Sequence, residues 1–222
     1  MTLKSNSIDW IFAKDLVNFE EAFKFMELKV DEIIAKKTNS KIWVLEHHPV
    51  ITAGISARDE DLLENSAIPI YKTNRGGKYT YHGPGMKIIY LMLDLKQFFA
   101  PRDPDISRFV EFLEKWVINV LSHYKICAEI RKDRVGLWVN HNSSEKKICA
   151  IGIKVKRWVS YHGIAINIAP DLSNFNHIVP CGIKDFGIIS MQEMGIMNFD
   201  DEVFNNLLKI EYDKLIDEFF DS

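Results

Sequence analysis

RVGLWVNHNSSEKKICAIGIKVKRWVSYHGIAINI, residues 134–168, holds two strand-like runs around a polar turn. RVGLWVN and the long segment from KICAIG onward are rich in β-branched and aromatic residues, and HNSSEK between them has turn composition. An antiparallel hairpin is the expected product. On the N-terminal side, KIWVLEHHPVITAG reads as a strand that stops at Pro49 or continues into a second one. IPIYKTN and KYTYHG read as two short strands with Arg75-Gly76-Gly77 between or just inside them, and MKIIYLMLDL as a strand buried on both faces.

Helices frame these strands. Leu16, Phe19, Phe23, Met26, Val30 and Ile33 recur at steps of three and four, one face of an amphipathic helix with Asp15 as its expected N-cap. Ile106, Phe109, Val110, Leu113, Trp116, Val117 and Val120 form a second such face, and residues 200–220 a third helix. Short turns between consecutive strands favour an α+β fold over a βαβ dinucleotide fold: a mixed, mostly antiparallel sheet flanked by helices. Neither GxGxxG nor GxxxxGK[ST] occurs. With 222 residues, 47% hydrophobic and 27% charged, the chain suits a single domain over 1–222 with an ample apolar core.

The net charge of −3 argues against wholesale nucleic-acid binding. The apolar run IIYLML is too short to span a bilayer, and MTLKSNSIDWIF lacks a signal-peptide core. Cys127, Cys149 and Cys181 form no CxxC pair, which fits a reduced, cytoplasmic setting. No histidine pair has the HxxxH or HExxH spacing of a zinc helix, and no metal or cofactor is expected.

Three segments could carry chemistry. NRGGKYTYHGPG, residues 74–85, concentrates glycine beside Arg75, Lys78 and His82. It reads either as a binding loop for an anion or a polar carbonyl, or as glycine turns with a surface histidine. In NHIVPCGIKDFG, Cys181 lies between Pro180 and Gly182, an open setting that would present a nucleophile, whereas Cys127 and Cys149 sit in apolar runs and read as small core residues. In EKKICAIGIKVKR, strand alternation puts Lys147 on one face with Cys149, Ile151, Ile153 and Val155, and Lys146, Lys154 and Lys156 on the other. An ammonium drawn out of water gives up its proton more readily, so a lysine so placed could act as acid and base; a lysine snorkelling to water is the alternative. Tyr81-His82-Gly83 and Tyr161-His162-Gly163 each read as a strand with a glycine for close approach.

RGGKYTYHGPG, KICAIGIKVKRWVSYHGIAINI, DLSNFNHIVPCGI and GIISMQE, in this order and spacing, resemble the lipoyl(octanoyl) transferase family over most of the chain. The resemblance implies the fold shared with lipoate and biotin ligases. It also implies an acyltransferase that moves an octanoyl group from acyl carrier protein to a lysine of a lipoyl domain. The acceptors would be lipoyl domains of 2-oxoacid dehydrogenase complexes or the glycine cleavage H protein. Cys181 would be the acyl-accepting nucleophile and Lys147 its acid/base partner. Arg75, Gly76, Gly77 and Lys78, then Tyr79, Thr80, Tyr81 and His82, would line the acyl-thioester site. Ala150, Ile151 and Gly152, with Gly163, Ile164 and Ala165, would complete its walls. Tyr79, Tyr81, Ile151 and Ile164 are expected along the tail. Backbone N–H groups near Gly182 or Gly76-Gly77 could hold the oxyanion. Arg75, Lys78, Lys146, Lys154, Lys156 and Arg157 form either a basic docking patch for the carrier or a solvated face. Lys78, Met86 and Ile189 depart from the residues usual in that family. The competing readings are an ATP-dependent lipoate or biotin-type ligase, a non-catalytic lipoyl-domain binding module and a cysteine hydrolase.

Overall fold

Residues 3–63, 67–132, 134–179 and 186–221 are described by the structure, a computed structural model. Its centre is a sheet of β1 (Asp9–Phe12), β2 (Lys41–Leu45), β6 (Met86–Met92), β10 (Val159–Asn167), β9 (Ser144–Lys156), β8 (Arg134–His141) and β7 (Glu129–Arg131), neighbours in that order. The pair β1–β2 is parallel, and the other pairs along this path are antiparallel. The short β11 (Gly187–Ile188) runs parallel to the start of β9, with Ile188 opposite Lys147. A second sheet has β3 (Val50–Ala53) in the middle, parallel to β4 (Ile70–Lys72) and antiparallel to β5 (Tyr79–His82). The expected mixed, mostly antiparallel α+β architecture is therefore present. KIWVLEHHPVITAG is two strands, which belong to different sheets.

Both faces of the large sheet are covered, which is why β6 is buried throughout. On one face lie α2 (Leu95–Phe99), α3 (Ile106–Ser122) and α4 (Asp201–Asp221), whose Phe98, Phe112, Trp116, Phe204 and Tyr212 fill the larger core. On the other face lie α1 (Phe19–Ile34) and the small sheet, around Met26, Val30, Tyr81, Ile88 and Tyr90. Among the described residues, no helix is long and apolar enough to cross a membrane.

Local chemistry sets the element ends, and it corrects several expectations. Asn18 caps α1, its side chain accepting from the Glu20 N–H; Asp15 lies outside the helix and Leu16 is exposed. Asp105 caps α3 through the Arg108 N–H. In α3 Ile106 is exposed and Val110 only half-buried, whereas Phe112 and even Glu114 are buried. Asn142 and Ser143, at φ 50° and 61°, make the β8–β9 turn. A second tight turn at Arg157-Trp158, φ 49° and 66°, splits KICAIGIKVKRWVSYHGIAINI into β9 and β10. Neither residue is a turn former, so composition hid this turn. Cys149 is buried in the core as expected, but Cys127 is exposed: it points outward between buried Ile126 and Ala128 on an extended approach to β7.

Candidate active site

Between the two sheets lies a cavity of about 330 Å³. Its roof is the loop before β5: Arg75, Gly76, Gly77 and Lys78, continuing into Tyr79, Thr80 and His82. Its floor is the centre of the large sheet, with Ala150, Ile151 and Gly152 on β9 and Gly163, Ile164 and Ala165 on β10. Lys147 stands at one end. The sequence-derived residues thus converge on one space, apart from Tyr81. That ring turns to the opposite side of β5, packs on Phe175 at 5.5 Å, and its hydroxyl accepts from Asn174 Nδ2. Cys181 and Gly182 lie outside the described residues.

The glycine-rich loop is a folded wall. Gly76 N–H donates to the Ile153 carbonyl at 3.0 Å, which ties the loop to β9 and removes that N–H as an oxyanion donor. Arg75 is only 9% exposed. Its guanidinium donates to the carbonyls of Thr52, Gly76 and Lys78 and to Thr52 Oγ1, at 2.7–2.9 Å. It therefore spans β3 and the loop, and it brings a fixed positive charge to the cavity.

Neutral polar groups surround this cation. His47 Nδ1–H donates to the Val17 carbonyl at 2.8 Å, and Tyr90 O–H donates to His47 Nε2 at 2.7 Å. His162 Nε2–H donates to Asn74 Oδ1 at 3.1 Å. His82 Nε2 lies 3.4 Å from Thr52 Oγ1, while its buried Nδ1 has no hydrogen-bond partner among the described residues. Burial lowers all three imidazoles: His47 to about 4, aided by His48; His162 to about 3, aided by Arg75; and His82 well below 6.5, aided by His47, Arg75 and His162. Backbone geometry matters at the second YHG. His162 has φ 60°, rare for a non-glycine residue, and a Cβ at Gly163 would overlap the Ile89 carbonyl oxygen. The close-approach role expected of Gly163 is thereby met.

Lys147 is 4% exposed. Its Nζ donates to the Val135 carbonyl at 3.1 Å and lies 4.7 Å from the centre of the Trp138 ring. Simple alternation had placed it on the face of Cys149, Ile151, Ile153 and Val155. Those four side chains pack on the helix-side core instead. The β8–β9 register shifts between Leu137, opposite Cys149, and Trp138, opposite Lys147. The resulting bulge turns Lys147 to the cavity with Ala150 and Gly152.

Three of the six cations of the anticipated basic patch are engaged within the chain. Arg75 points inward, Lys156 pairs with Asp31, and Lys78 pairs with Asp61 at 3.1 Å. The last pair gives Lys78 a structural role in this chain. Asp61 is 6% exposed, and its carbonyl accepts the Val179 N–H at 2.7 Å. Leu63 N–H bonds the His177 carbonyl alongside. Lys78 thus neutralises a buried carboxylate in the segment that anchors residues 177–179, immediately before Pro180-Cys181. Lys78→Gln is expected to lower stability by about 1–3 kcal/mol, because the carboxylate loses its counter-charge. Adding Asp61→Asn should recover most of that loss. Urea unfolding of the two single variants and the double variant measures both, and additive losses would reject the pairing.

Composition and spacing gave no sign of several wall residues: Phe19, Thr52, Ile88, Tyr90, Arg134 and Val135. They come from α1, β3, β6 and β8 and meet only in three dimensions. Among the described residues, no cluster of His, Cys, Asp and Glu is arranged to hold a metal ion.

Residues 18–212 match the family model described as the lipoyl protein ligase A/B catalytic domain. The chain is 46% identical over 210 residues to an octanoyltransferase of Wolbachia sp. subsp. Brugia malayi (strain TRS), covering 94% of this chain and 99% of that protein. Its fold is similar to the archaeal bi-partite lipoate protein ligase of Thermoplasma acidophilum, with TM-score 0.65, 14% identity and coverage of 97% and 93% of the two chains. It is also similar to the biotin protein ligase of Aquifex aeolicus, with TM-score 0.58, 14% identity and coverage of 96% and 72%. At these identities the two solved structures bear on fold alone.

Proposed function

The chain belongs to the lipoyl protein ligase A/B catalytic domain family, and on that premise we propose how it works: it accepts an octanoyl group from acyl carrier protein on Cys181 and passes it to a lysine of a lipoyl domain. It is an octanoyltransferase, an acyltransferase of protein lipoylation. In our proposal the chain acts as one catalytic domain in the cytoplasm, without a cofactor. Its acceptors are the lipoyl domains of 2-oxoacid dehydrogenase complexes or the glycine cleavage H protein.

One observation carries the mechanism. The chain on either side of the Cys181 segment is tied to partners of the cavity wall: Val179 bonds to Asp61, which pairs with the lining residue Lys78, and Ile188 pairs with the lining residue Lys147 itself. A buried ammonium at the cavity end therefore neighbours the strand to which the nucleophile's segment returns. The Cys181 thiolate attacks the thioester carbonyl, and the carrier sulfur leaves with a proton from Lys147. The amine of the incoming lysine then attacks the acyl-enzyme. Lys147, now neutral, takes the amine's proton, an amide forms and Cys181 leaves as thiolate. One thioester is exchanged for another and then for a more stable amide, so no ATP is required. Ile88, Ala150 and Ala165 supply apolar wall for the tail, while Ile151 and Ile164 border the cavity through their backbone because their side chains pack in the helix-side core. The Arg75 charge and the His82 Nδ1 face polar atoms of the substrate.

Intact mass with peptide mapping tests this. After mixing with octanoyl-acyl carrier protein and no ATP, one octanoyl increment on Cys181 is expected, removed on adding a lipoyl domain. Labelling that needs ATP would move the chain to ligase chemistry. Release of free octanoate instead of transfer would make it a hydrolase, and absence of any acyl-enzyme would leave a binding module.

A further inference from the structure

Glu114 is a buried carboxylate in the middle of α3, 6% exposed, on the face of the sheet away from the cavity. A carboxylate is rarely buried without a partner that repays its lost hydration. Its partner is the backbone of β8: Oε1 accepts the Gly136 N–H at 3.2 Å. The carbonyl of that same peptide unit is the Val135 oxygen that receives Lys147 Nζ at 3.1 Å. In a planar trans peptide the N–H and C=O point in opposite directions. In a regular strand both lie in the sheet and bond neighbouring strands. Here the peptide is rotated out of the sheet, with its N–H toward α3 and its carbonyl toward the cavity. Gly136 makes this rotation accessible: its φ is 109°, and a Cβ there would press on the Cys149 carbonyl oxygen and lie 3.5 Å from Lys147 Cε and Nζ. The register shift one residue farther along β8 belongs to the same distortion.

We propose that Glu114 is a positioning residue for Lys147: from the far side of the sheet its carboxylate holds the Val135–Gly136 peptide, whose carbonyl on the near side holds the Lys147 ammonium. Carboxylate, peptide and ammonium form one line of hydrogen bonds across the sheet, each polarising the next. Burial and Glu111 raise the Glu114 carboxyl, while the Gly136 N–H and Lys147 oppose them. The far-side helix thereby fixes the direction of a side chain in the cavity. This inference rests on Lys147 acting at Cys181 as proposed above.

A double-mutant cycle on the full chain tests it, with octanoyl-acyl carrier protein as donor and acyl-enzyme formation as readout. Glu114→Leu should lower the maximal rate about tenfold or more, the value of a hydrogen bond to a charged group, with KM for the donor unchanged. In a Lys147→Ala background the same substitution should have no further effect. Glu114→Gln keeps an acceptor for the Gly136 N–H and should restore most of the rate, which also covers the case where leucine impairs folding. Equal losses in both backgrounds, or glutamine as slow as leucine, would overturn the inference. A Lys147→Ala variant as fast as the unchanged chain would remove the role of Lys147 itself and this inference with it. That outcome is read from the single variant alone.

Discussion

Lys147→Ala lowers the rate of acyl transfer from octanoyl-acyl carrier protein to Cys181 by about 10²–10⁴-fold, the range over which a positioned acid or base acts. The expectation follows from where the ammonium is held. It is buried at the cavity end, donates to the Val135 carbonyl and is set over the face of Trp138. Few alternative positions are open to it, so little order is lost on reaching the transition state. In the proposed cycle it gives a proton to the departing carrier sulfur and takes one from the incoming amine, so both halves should slow. Lys147→Arg should not rescue the second half, because a guanidinium does not release its proton in a protein. Rapid-quench intact mass measures acylation of Cys181, and amide formation on a lipoyl domain measures the second half. Cys181→Ala sets the zero of both assays. An alanine variant as fast as the unchanged chain would take Lys147 out of the chemistry.

Lys147 was legible in the sequence, but the direction of its side chain was not. Alternation is a rule for regular strands, and it placed Cys149, Ile151, Ile153 and Val155 together, where they lie in the core. It failed at the bulge, which depends on the partner strand and on Gly136. Likewise the apolar periodicity of α1 was legible, but the choice between Asp15 and Asn18 as its cap was a matter of hydrogen-bond geometry. The strands on either side of Arg157-Trp158 were legible and the turn was not, because two non-glycine residues accept positive φ there. The glycine-rich loop was visible from composition. Arg75 was expected both in the site and in a basic patch beside it; carbonyls from β3 and the loop draw it inward, to the site. Tyr90 and His47 carried no motif at all. Their partnership joins β6 to the turn after β2 and exists only in the folded chain.

That buried imidazole layer has a second large consequence: the chain should lose stability between pH 6.5 and pH 4, before most carboxylates titrate. An unfolded histidine binds its proton near pH 6.5. Folded His47 and His162 do so only near pH 4 and pH 3, because burial disfavours the cation and, for His162, Arg75 adds repulsion. Below pH 6.5 the unfolded state therefore binds more protons than the folded state, and acid favours unfolding. The stability is complete above pH 6.5 and falls continuously toward the folded values. By pH 5 each of the two groups should cost about 2 kcal/mol, together a large part of the ordinary 5–15 kcal/mol margin. For a chain of this size that is a fall in Tm of about 10 °C. His82 acts in the same direction. Urea unfolding at intervals from pH 7.5 to pH 4.5 gives the slope, and His162→Gln should reduce it by nearly one proton. A flat profile between pH 7 and pH 5 would contradict the neutral layer. The same neutrality is useful at the site. With the imidazoles uncharged, Arg75 is a cation they do not reinforce, and their nitrogens remain available as hydrogen-bonding groups while the apolar tail occupies the floor.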